Sequence, residues 1–450
     1  MRTYNLKKEP GLPLYESLYR SIREDIRTGV LAPGEKLPSK RALAANLEVG
    51  KTTVEGAYSQ LLEEGYIFSR ERQGFFVESV EEHPAPMALP PVEIPAEPSQ
   101  AADLTGNGTG QFPFSVWAKL QREVVLDYGK ELLSPMDPRG AEILRRAIAR
   151  NLSDFRGLQI RPENILVGAG TDFLYNLLLQ LLGQDLVYGV EDPGYGKIRK
   201  IYAAGGVRCR PIPMDDRGIP VEEIGDAQVL HISPGHHFPT GIVTPVGRRR
   251  EMLDWARSTG GYIIEDDYDT EFRFRGHPIP PMQAMDPERV IYLNTFSKTL
   301  SPSIRISYMV LPPALMERFQ KKLGFYGCTV ASFEQYTLAR FLDRGYFEKH
   351  INRMRKFYRA RRNRVISLLE NCPEAKKFTI QEEDAGLHFL LKVETDLSDT
   401  ALTEAFQSQG LKVQALSSFY TEPEDRHCLV INYSGVDEER LKEALAGLRL

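Results

Sequence analysis

Lys298 stands in the run Asn294-Thr295-Phe296-Ser297-Lys298-Thr299-Leu300-Ser301-Pro302, with Arg305 following shortly after. A lysine behind an apolar run suits an amine that condenses with an aldehyde, while flanking hydroxyls and a guanidinium hold an anion such as phosphate. Alone, the triplet says little, because a surface lysine in a turn has the same neighbours. Its context changes the reading. Tyr262-Ile263-Ile264-Glu265-Asp266-Asp267-Tyr268 is an apolar run ending in carboxylates and a phenol. At a strand end, Asp266 is placed to pair with a protonated ring nitrogen, and Tyr268 with a ring oxygen. Gly168-Ala169-Gly170-Thr171 lies between a strand-like run and a helical pattern, where backbone amides bind phosphate. Glu191-Asp192-Pro193-Gly194-Tyr195 adds an aromatic ring after another strand.

Together these are the parts of a pyridoxal 5'-phosphate site. They are to be positioned by α/β units: from about residue 165, β-rich runs (ILVGAG, QVLHIS, YIIEDDY, VIYLNTF) alternate with helical patterns such as TDFLYNLLLQLL. That alternation predicts a largely parallel sheet with helices on its faces. Residues 340–370 read as long and helical, and the last 80 residues as a smaller α+β domain.

Upstream, residues 81–105 hold six prolines, five acidic residues and no Lys or Arg, the composition of an extended tether. The expected division is 1–80, a linker over 81–105, and 106–450. Within 14–28, Leu14, Leu18, Ile22 and Ile26 put one helical face in a core. Ser39 caps a short helix, a turn follows, and a further helix ends near Gly65. YIFSR and GFFVES then make a hairpin. Helix, short helix, turn, helix, hairpin is the order of a winged helix-turn-helix. Lys36, Lys40, Arg41 and Lys51 stand against Glu48 alone between 36 and 53. Ser39, Lys40, Arg41, Lys51, Thr52 and Thr53 fall at helix N-termini, where amides and side chains grip DNA phosphates. Arg70, Arg72 and Gln73 fall on the wing.

The net charge of −4 over 450 residues excludes DNA binding by bulk positive charge, so a local patch must do it. Composition excludes a disordered chain and a small disulfide scaffold. Cys209, Cys328, Cys372 and Cys428 are scattered and read as reduced thiols, without metal-ligand spacing. No signal peptide or membrane span is expected, and with reduced thiols the expected compartment is the cytoplasm.

Residues 14–77 resemble the GntR-type DNA-binding domain. The family's "PSxRxLA" stands as Pro38-Ser39-Lys40-Arg41-Ala42-Leu43-Ala44, and "TVxxAYxxLxxEG" begins at Thr53-Val54 and ends at Glu64-Gly65. Lys51 replaces the usual Arg, which keeps a phosphate contact and loses bidentate guanine reading. Residues 106–450 resemble fold-type-I aminotransferases, and the two together resemble the MocR subfamily of GntR regulators. The resemblance implies Lys298 as the internal aldimine lysine, Asp266 on the pyridine nitrogen, Tyr268 on the ring oxygen and Tyr195 stacked on the ring. It puts Gly170, Thr171, Thr295, Ser297 and Arg305 around the phosphate. His236 in Ser233-Pro234-Gly235-His236-His237-Phe238-Pro239-Thr240-Gly241, like the subfamily's "TPSHQFPTG", becomes a cofactor-side candidate. It also implies a head-to-tail homodimer on double-stranded operator DNA, with the cofactor itself or an amine as effector.

Three positions depart from the aminotransferase pattern: Phe238 replaces a ring-oxygen asparagine, Pro135 a tyrosine that reaches the neighbouring subunit's phosphate, and Val430 the arginine that clamps a substrate α-carboxylate. Losing that bidentate pair argues against efficient amino-acid transamination. Arg426 and Lys197 are the substitutes considered. Nine Lys/Arg against Glu348 over 344–364 read as a solvated connecting helix, and His388 as a packed or capping residue. The favoured expectation is a regulator that senses through a non-enzymatic domain, controlling vitamin B6 or amine metabolism. The rivals are a working aminotransferase with an appended DNA-binding domain and a DNA-binding architectural protein with a cofactor-free domain. Operator, target genes, effector identity and the sign of regulation are not legible.

Overall fold

The computed structural model describes residues 4, 6, 13–79, 102–105, 111–274, 279–382 and 384–450. The chain divides into two compact units, Met1–Pro98 and Ser99–Leu450. Most of the expected tether lies outside the described residues.

The first unit comprises α1 (Leu14–Arg27), α2 (Lys40–Leu47), α3 (Lys51–Glu63) and the antiparallel hairpin β1 (Ile67–Arg70) and β2 (Gly74–Val77). The apolar stripe of α1 buries Leu18, Ile22 and Ile26 against Leu43, Val54, Ala57, Tyr58 and Leu61. Tyr58 also donates its hydroxyl to Pro38 O at 2.9 Å, which ties α3 to the segment entering α2. Ser39 Oγ accepts from Ala42 N at 3.2 Å, the expected N-cap. Glu48, in a left-handed conformation, ends α2 and turns the chain into α3.

The second unit opens with β3 (Ala102–Asp103), inside the span expected to be linker. It continues with α4 (Phe114–Tyr128), α5 (Glu142–Arg156), β4 (Ile165–Gly168), α6 (Thr171–Leu182), β5 (Val187–Asp192), α7 (Gly196–Ala204), β6 (Arg208–Pro213) and β7 (Val229–Ile232). Then come α8 (Val246–Thr259), β8 (Tyr262–Asp266), β9 (Val290–Thr295), α9 (Phe296–Thr299), β10 (Ser307–Val310), α10 (Pro313–Leu323) and α11 (Ser332–Asp343). The last part holds α12 (Tyr346–Glu370), β11 (Phe378–Gln381), β12 (His388–Val393), α13 (Asp399–Ser408), β13 (Leu411–Lys412), β14 (Gln414–Ala415), β15 (Cys428–Asn432) and α14 (Glu438–Gly447). Most of the stretch read as long and helical is α12, which follows α11 across left-handed Gly345.

Seven strands form the large sheet in the order β4-β10-β9-β8-β7-β5-β6. All pairings are parallel except those of β10, which runs against both neighbours. Alternate side chains serve two faces, as a pleated strand requires. Leu166, Ile264, Leu293 and Met309 pack with α6 and α10. Val167, Tyr292 and Tyr308 pack with α5, α11 and α12. A smaller sheet, β11-β12-β15-β14, forms the C-terminal lobe. The chain enters the unit against this lobe: β3 pairs in parallel with β13, and Asn432 N donates to Leu104 O. Among the described residues no helix is long and apolar enough to cross a membrane.

Candidate functional site

Strands β4, β5, β7, β8 and β9 run the same way, so their carboxyl ends share one edge of the sheet. That edge is where open α/β sheets bind ligands. It gathers Gly168–Thr171, Asp192–Tyr195, Ser233–Gly241, Asp266–Asp269 and Thr295–Lys298, segments far apart in sequence.

Lys298 lies in the single turn of α9, whose last residue, Thr299, accepts from His350 Nε2 of α12 at 2.8 Å. Burial lowers the lysine's pKa, and the nearby carboxylates of Asp269 and Asp266 act in the opposite direction. Asp266, at the end of β8, is buried. Its Oδ2 accepts from Tyr175 OH and lies 3.6 Å from His231 Nε2, while its Oδ1 has no protein partner. Behind it, Tyr202 OH and His231 Nδ1 are 2.6 Å apart. Tyr268 lies 3.4 Å from His236 Nδ1, which sits 2.9 Å from Asp269 Oδ1. His236 Nε2 has no partner. Thr295 Oγ1 accepts from Ser307 Oγ at 2.8 Å and from Ser297 N at 3.1 Å, leaving Ser297 Oγ buried and unpartnered.

At the mouth of α6, Gly170 is left-handed with φ 89°, and a Cβ there would lie 2.2 Å from the Arg305 guanidinium. Only glycine admits that approach. Arg305 is half-exposed, donates to Ala169 O at 3.4 Å and reaches Asp172 Oδ2 at the same distance. Thr171 opens α6. Tyr195 stands at the rim, 47% exposed, its ring edge-on to Phe238 at 5.9 Å.

The structure thus brings Lys298, Asp266, Tyr268, His236, Thr295 and Ser297 to one edge, with Gly170, Thr171 and Arg305 at the helix mouth beside it. Sequence reasoning missed Tyr175, His231, Tyr202, Asp269 and Ser307, which hold the first group. Tyr175 carried a signal, falling one helical turn after Thr171, as did Asp269, three residues beyond Asp266.

Val430 is buried on β15 in an apolar cluster with Leu390, Leu416, Phe419 and Cys428, against which Phe238 packs. Neither considered substitute is free. Lys197 pairs with Asp172 at 2.6 Å, and the Arg426 guanidinium lies 4.0 Å over the Tyr420 ring. Pro135 is exposed. His388 packs as expected, its Nε2 3.0 Å from Pro239 O. The basic residues of α12 tie elements together. Arg355 donates to Glu271 O, Arg361 to Ser434 O, and Arg364 pairs with Glu438.

In the first unit, Lys40, Arg41, Lys51, Thr52 and Thr53 occupy the first turns of α2 and α3. Lys51 also reaches Glu55 at 3.2 Å. Lys36 bridges to Phe76, and the Lys40 ammonium lies over the Phe75 ring at 5.2 Å, so both flank β2. Arg70 lies over the rings of Phe68 and Phe76, while Arg72, with φ 59°, and Gln73 form the hairpin tip.

Residues 14–77 match the family model of bacterial regulatory proteins of the gntR family. Over 99% of its length the chain is 38% identical to the HTH-type transcriptional regulator YdeL of Bacillus subtilis, covering 98% of that protein. It is 32% identical to the HTH-type pyridoxine biosynthesis transcriptional regulator PdxR of Corynebacterium glutamicum, over 95% of this chain and 94% of that one. It is 31% identical to the probable rhizopine catabolism regulatory protein MocR of Rhizobium meliloti, over 99% and 94%. Among solved structures, a kynurenine aminotransferase of Pyrococcus horikoshii superposes with a TM-score of 0.67 at 26% identity, over 77% of this chain and 89% of that one.

Proposed function

The chain belongs to the MocR-type subfamily of GntR helix-turn-helix transcriptional regulators, and from that premise we propose that its second unit senses pyridoxal 5'-phosphate, or an amine presented to it, and sets DNA binding by the first. The observation that carries the proposal is the pairing, on neighbouring strand ends, of a desolvated lysine with a buried aspartate oxygen that lacks a partner.

The donor set fits that cofactor. Asp266 Oδ1 is an acceptor awaiting a cationic ring N–H, and Tyr175 and His231 hold the carboxylate in place. Tyr268, backed by His236 and Asp269, offers its hydroxyl to the ring oxygen. Ser297, Thr295, Arg305 and the amides opening α6 suit a phosphate, and Arg305 over Gly170 brings positive charge to the helix N-terminus. Tyr195 supplies a ring at the rim. When bound, the cofactor supplies an aldehyde that combines with primary amines and a ring that withdraws electrons. A lysine with a lowered pKa keeps a fraction of its amine unprotonated, as that combination requires.

At the position of Val430 the apolar cluster with Phe238 offers a methyl-bearing side chain in place of a guanidinium that would orient an α-carboxylate. This favours sensing over turnover, and an effector that is the cofactor or an amine without a carboxylate at that position. An effector must bind the two regulatory states unequally to shift them. On the DNA side, α2, α3 and the wing of each protomer grip one half-site, and a head-to-tail dimer spans two. The deciding experiment titrates operator DNA with the full chain, with and without pyridoxal 5'-phosphate and with a panel of amines. Altered affinity or footprint is expected; identical binding under every condition sinks the sensing claim. Rapid keto-acid release from a common amino acid would favour the enzyme instead.

A further inference from the structure

From the rim of the lysine site to Tyr268 runs a file of rings drawn from separate elements. Tyr195, after β5, stands edge-on to Phe238, after β7, at 5.9 Å. Phe238 meets Phe419 of the C-terminal lobe edge-on at 5.2 Å, and His388, which opens β12, at 5.1 Å. His388 lies 5.0 Å from His236, and His236 lies 6.2 Å from Tyr268. Phe238 also packs against the apolar cluster that holds Val430. Taking Lys298 as the attachment point of the cofactor, as proposed above, we infer that this file selects the effector: a primary amine whose remaining body is apolar, with Phe238 determining the choice.

Ring surface is left for a ligand at the rim, since Tyr195 is 47% exposed and Phe238 is half-buried. That surface is held in place. The Phe419 carbonyl accepts from Gly194 N and from Arg199 Nη2, both at 3.2 Å, which ties the lobe to the segment carrying Tyr195. Cations of the neighbouring segments already face partners. Lys197 pairs with Asp172, Arg199 with Asp192, and Arg426 lies over the Tyr420 ring. A carboxylate carried in against Phe238 and Val430 would lose water and find an apolar surface in exchange, which is costly. An apolar group makes the same move with a gain.

The rings themselves bring no charge that would reverse this. Burial pushes His388 down to about 3, so it is neutral near pH 7. The amine end is served separately, because the carboxylates of Asp269 and Asp266 act on Lys298 in the direction that favours a cation. A ligand with an ammonium at one end and an apolar body at the other suits both sides, as in sites where apolar walls carry a few placed polar groups.

The test loads the full-length protein with pyridoxal 5'-phosphate and checks for a cofactor absorbance band that Lys298→Ala removes. Three amines are then titrated calorimetrically. They are 2-phenylethylamine, L-phenylalanine, which adds a carboxylate to the same skeleton, and ethanolamine, which has a hydroxyl in place of the ring. 2-Phenylethylamine is expected to bind most tightly and to shift operator affinity. Phe238→Asn should weaken its binding by roughly tenfold, the scale of a lost aromatic contact, and leave ethanolamine unchanged. Phe238→Leu, which restores apolar surface, should recover most of the loss. A retained cofactor band in both variants shows that the second unit folds. A missing band, or one that survives Lys298→Ala, overturns the attachment reading and this inference with it. With a Lys298-dependent band, the choice by Phe238 alone is overturned by three equal affinities, by tighter binding of phenylalanine or ethanolamine, or by a preference that Phe238→Asn leaves intact. Tight binding of 2-phenylethylamine without a shift in operator affinity overturns its class as the effector.

Discussion

In the first unit, every residue proposed to touch DNA is exposed or half-buried and sits on a helix end or the wing. In the second, Asp266, Thr295 and His236 are buried, and polar atoms of Asp266, Ser297 and His236 have no protein partner. The helix-turn-helix is complete by itself, since its core is apolar and its charges stand in water. The lysine site keeps buried polar atoms that the proposed cofactor would pair, and pairing a buried polar group stabilises a fold. On the proposed reading, cofactor binding would stabilise the second unit and leave the first largely unchanged.

Four measurements sharpen or break this contrast. The largest effect is expected from Lys298→Ala. The absorbance band of the cofactor complex and the ligand response of DNA binding disappear, while basal operator affinity stays within a few-fold of wild type. A persistent band would dismiss Lys298 as the attachment point. Next, Lys40→Ala combined with Arg41→Ala lowers operator affinity by roughly tenfold to a hundredfold, and flattens the salt dependence by about 0.9 per lost phosphate contact. Cofactor absorbance is unaffected. An unaltered salt slope would remove α2 from the DNA surface.

The third concerns pH. Burial raises Glu191 to about 8 and Glu265 to about 7. For a carboxyl raised in the folded state, the stabilising contribution is full below the unfolded pKa and lost as pH rises through the folded one. His237 and His388 are pushed down to about 3 by burial, so their contribution is present above 6.5 and lost as pH falls. Between pH 6.5 and 8 only the glutamates titrate among these groups, and the melting temperature of the second unit should fall as pH rises. None of the shifted groups of the first unit titrates in that window, so its transition should hold still. Scanning calorimetry across the window decides, and a rising second transition would contradict the assignment. The smallest effect is Ser39→Ala, which removes the N-cap of α2 and costs the first unit about 1 kcal/mol in denaturant unfolding.

The two units also differed in how much of them could be read from sequence. The helix-turn-helix is written locally: the stripe of α1, the Ser39 cap and the wing lie within 64 consecutive residues. The strands of the large sheet were visible as apolar runs, and Asp266, Tyr268 and Lys298 fell at their ends. The reversed direction of β10 was not visible, because a short buried strand looks the same in either direction. The backing of Asp266 by Tyr175, His231 and Tyr202 was hidden for another reason. It joins three elements whose proximity exists only once the sheet is ordered. The long basic helix looked solvated because carbonyls from elsewhere, which accept from its arginines, have no signature in sequence.

The pairing of β3 with β13 has a mechanical meaning. The polypeptide is stitched into the second unit at the C-terminal lobe, through Ala102 and Leu104, and not at the seven-stranded sheet. A force arriving along the chain from the reader is borne first by that lobe. Any movement of that lobe would carry this anchor with it.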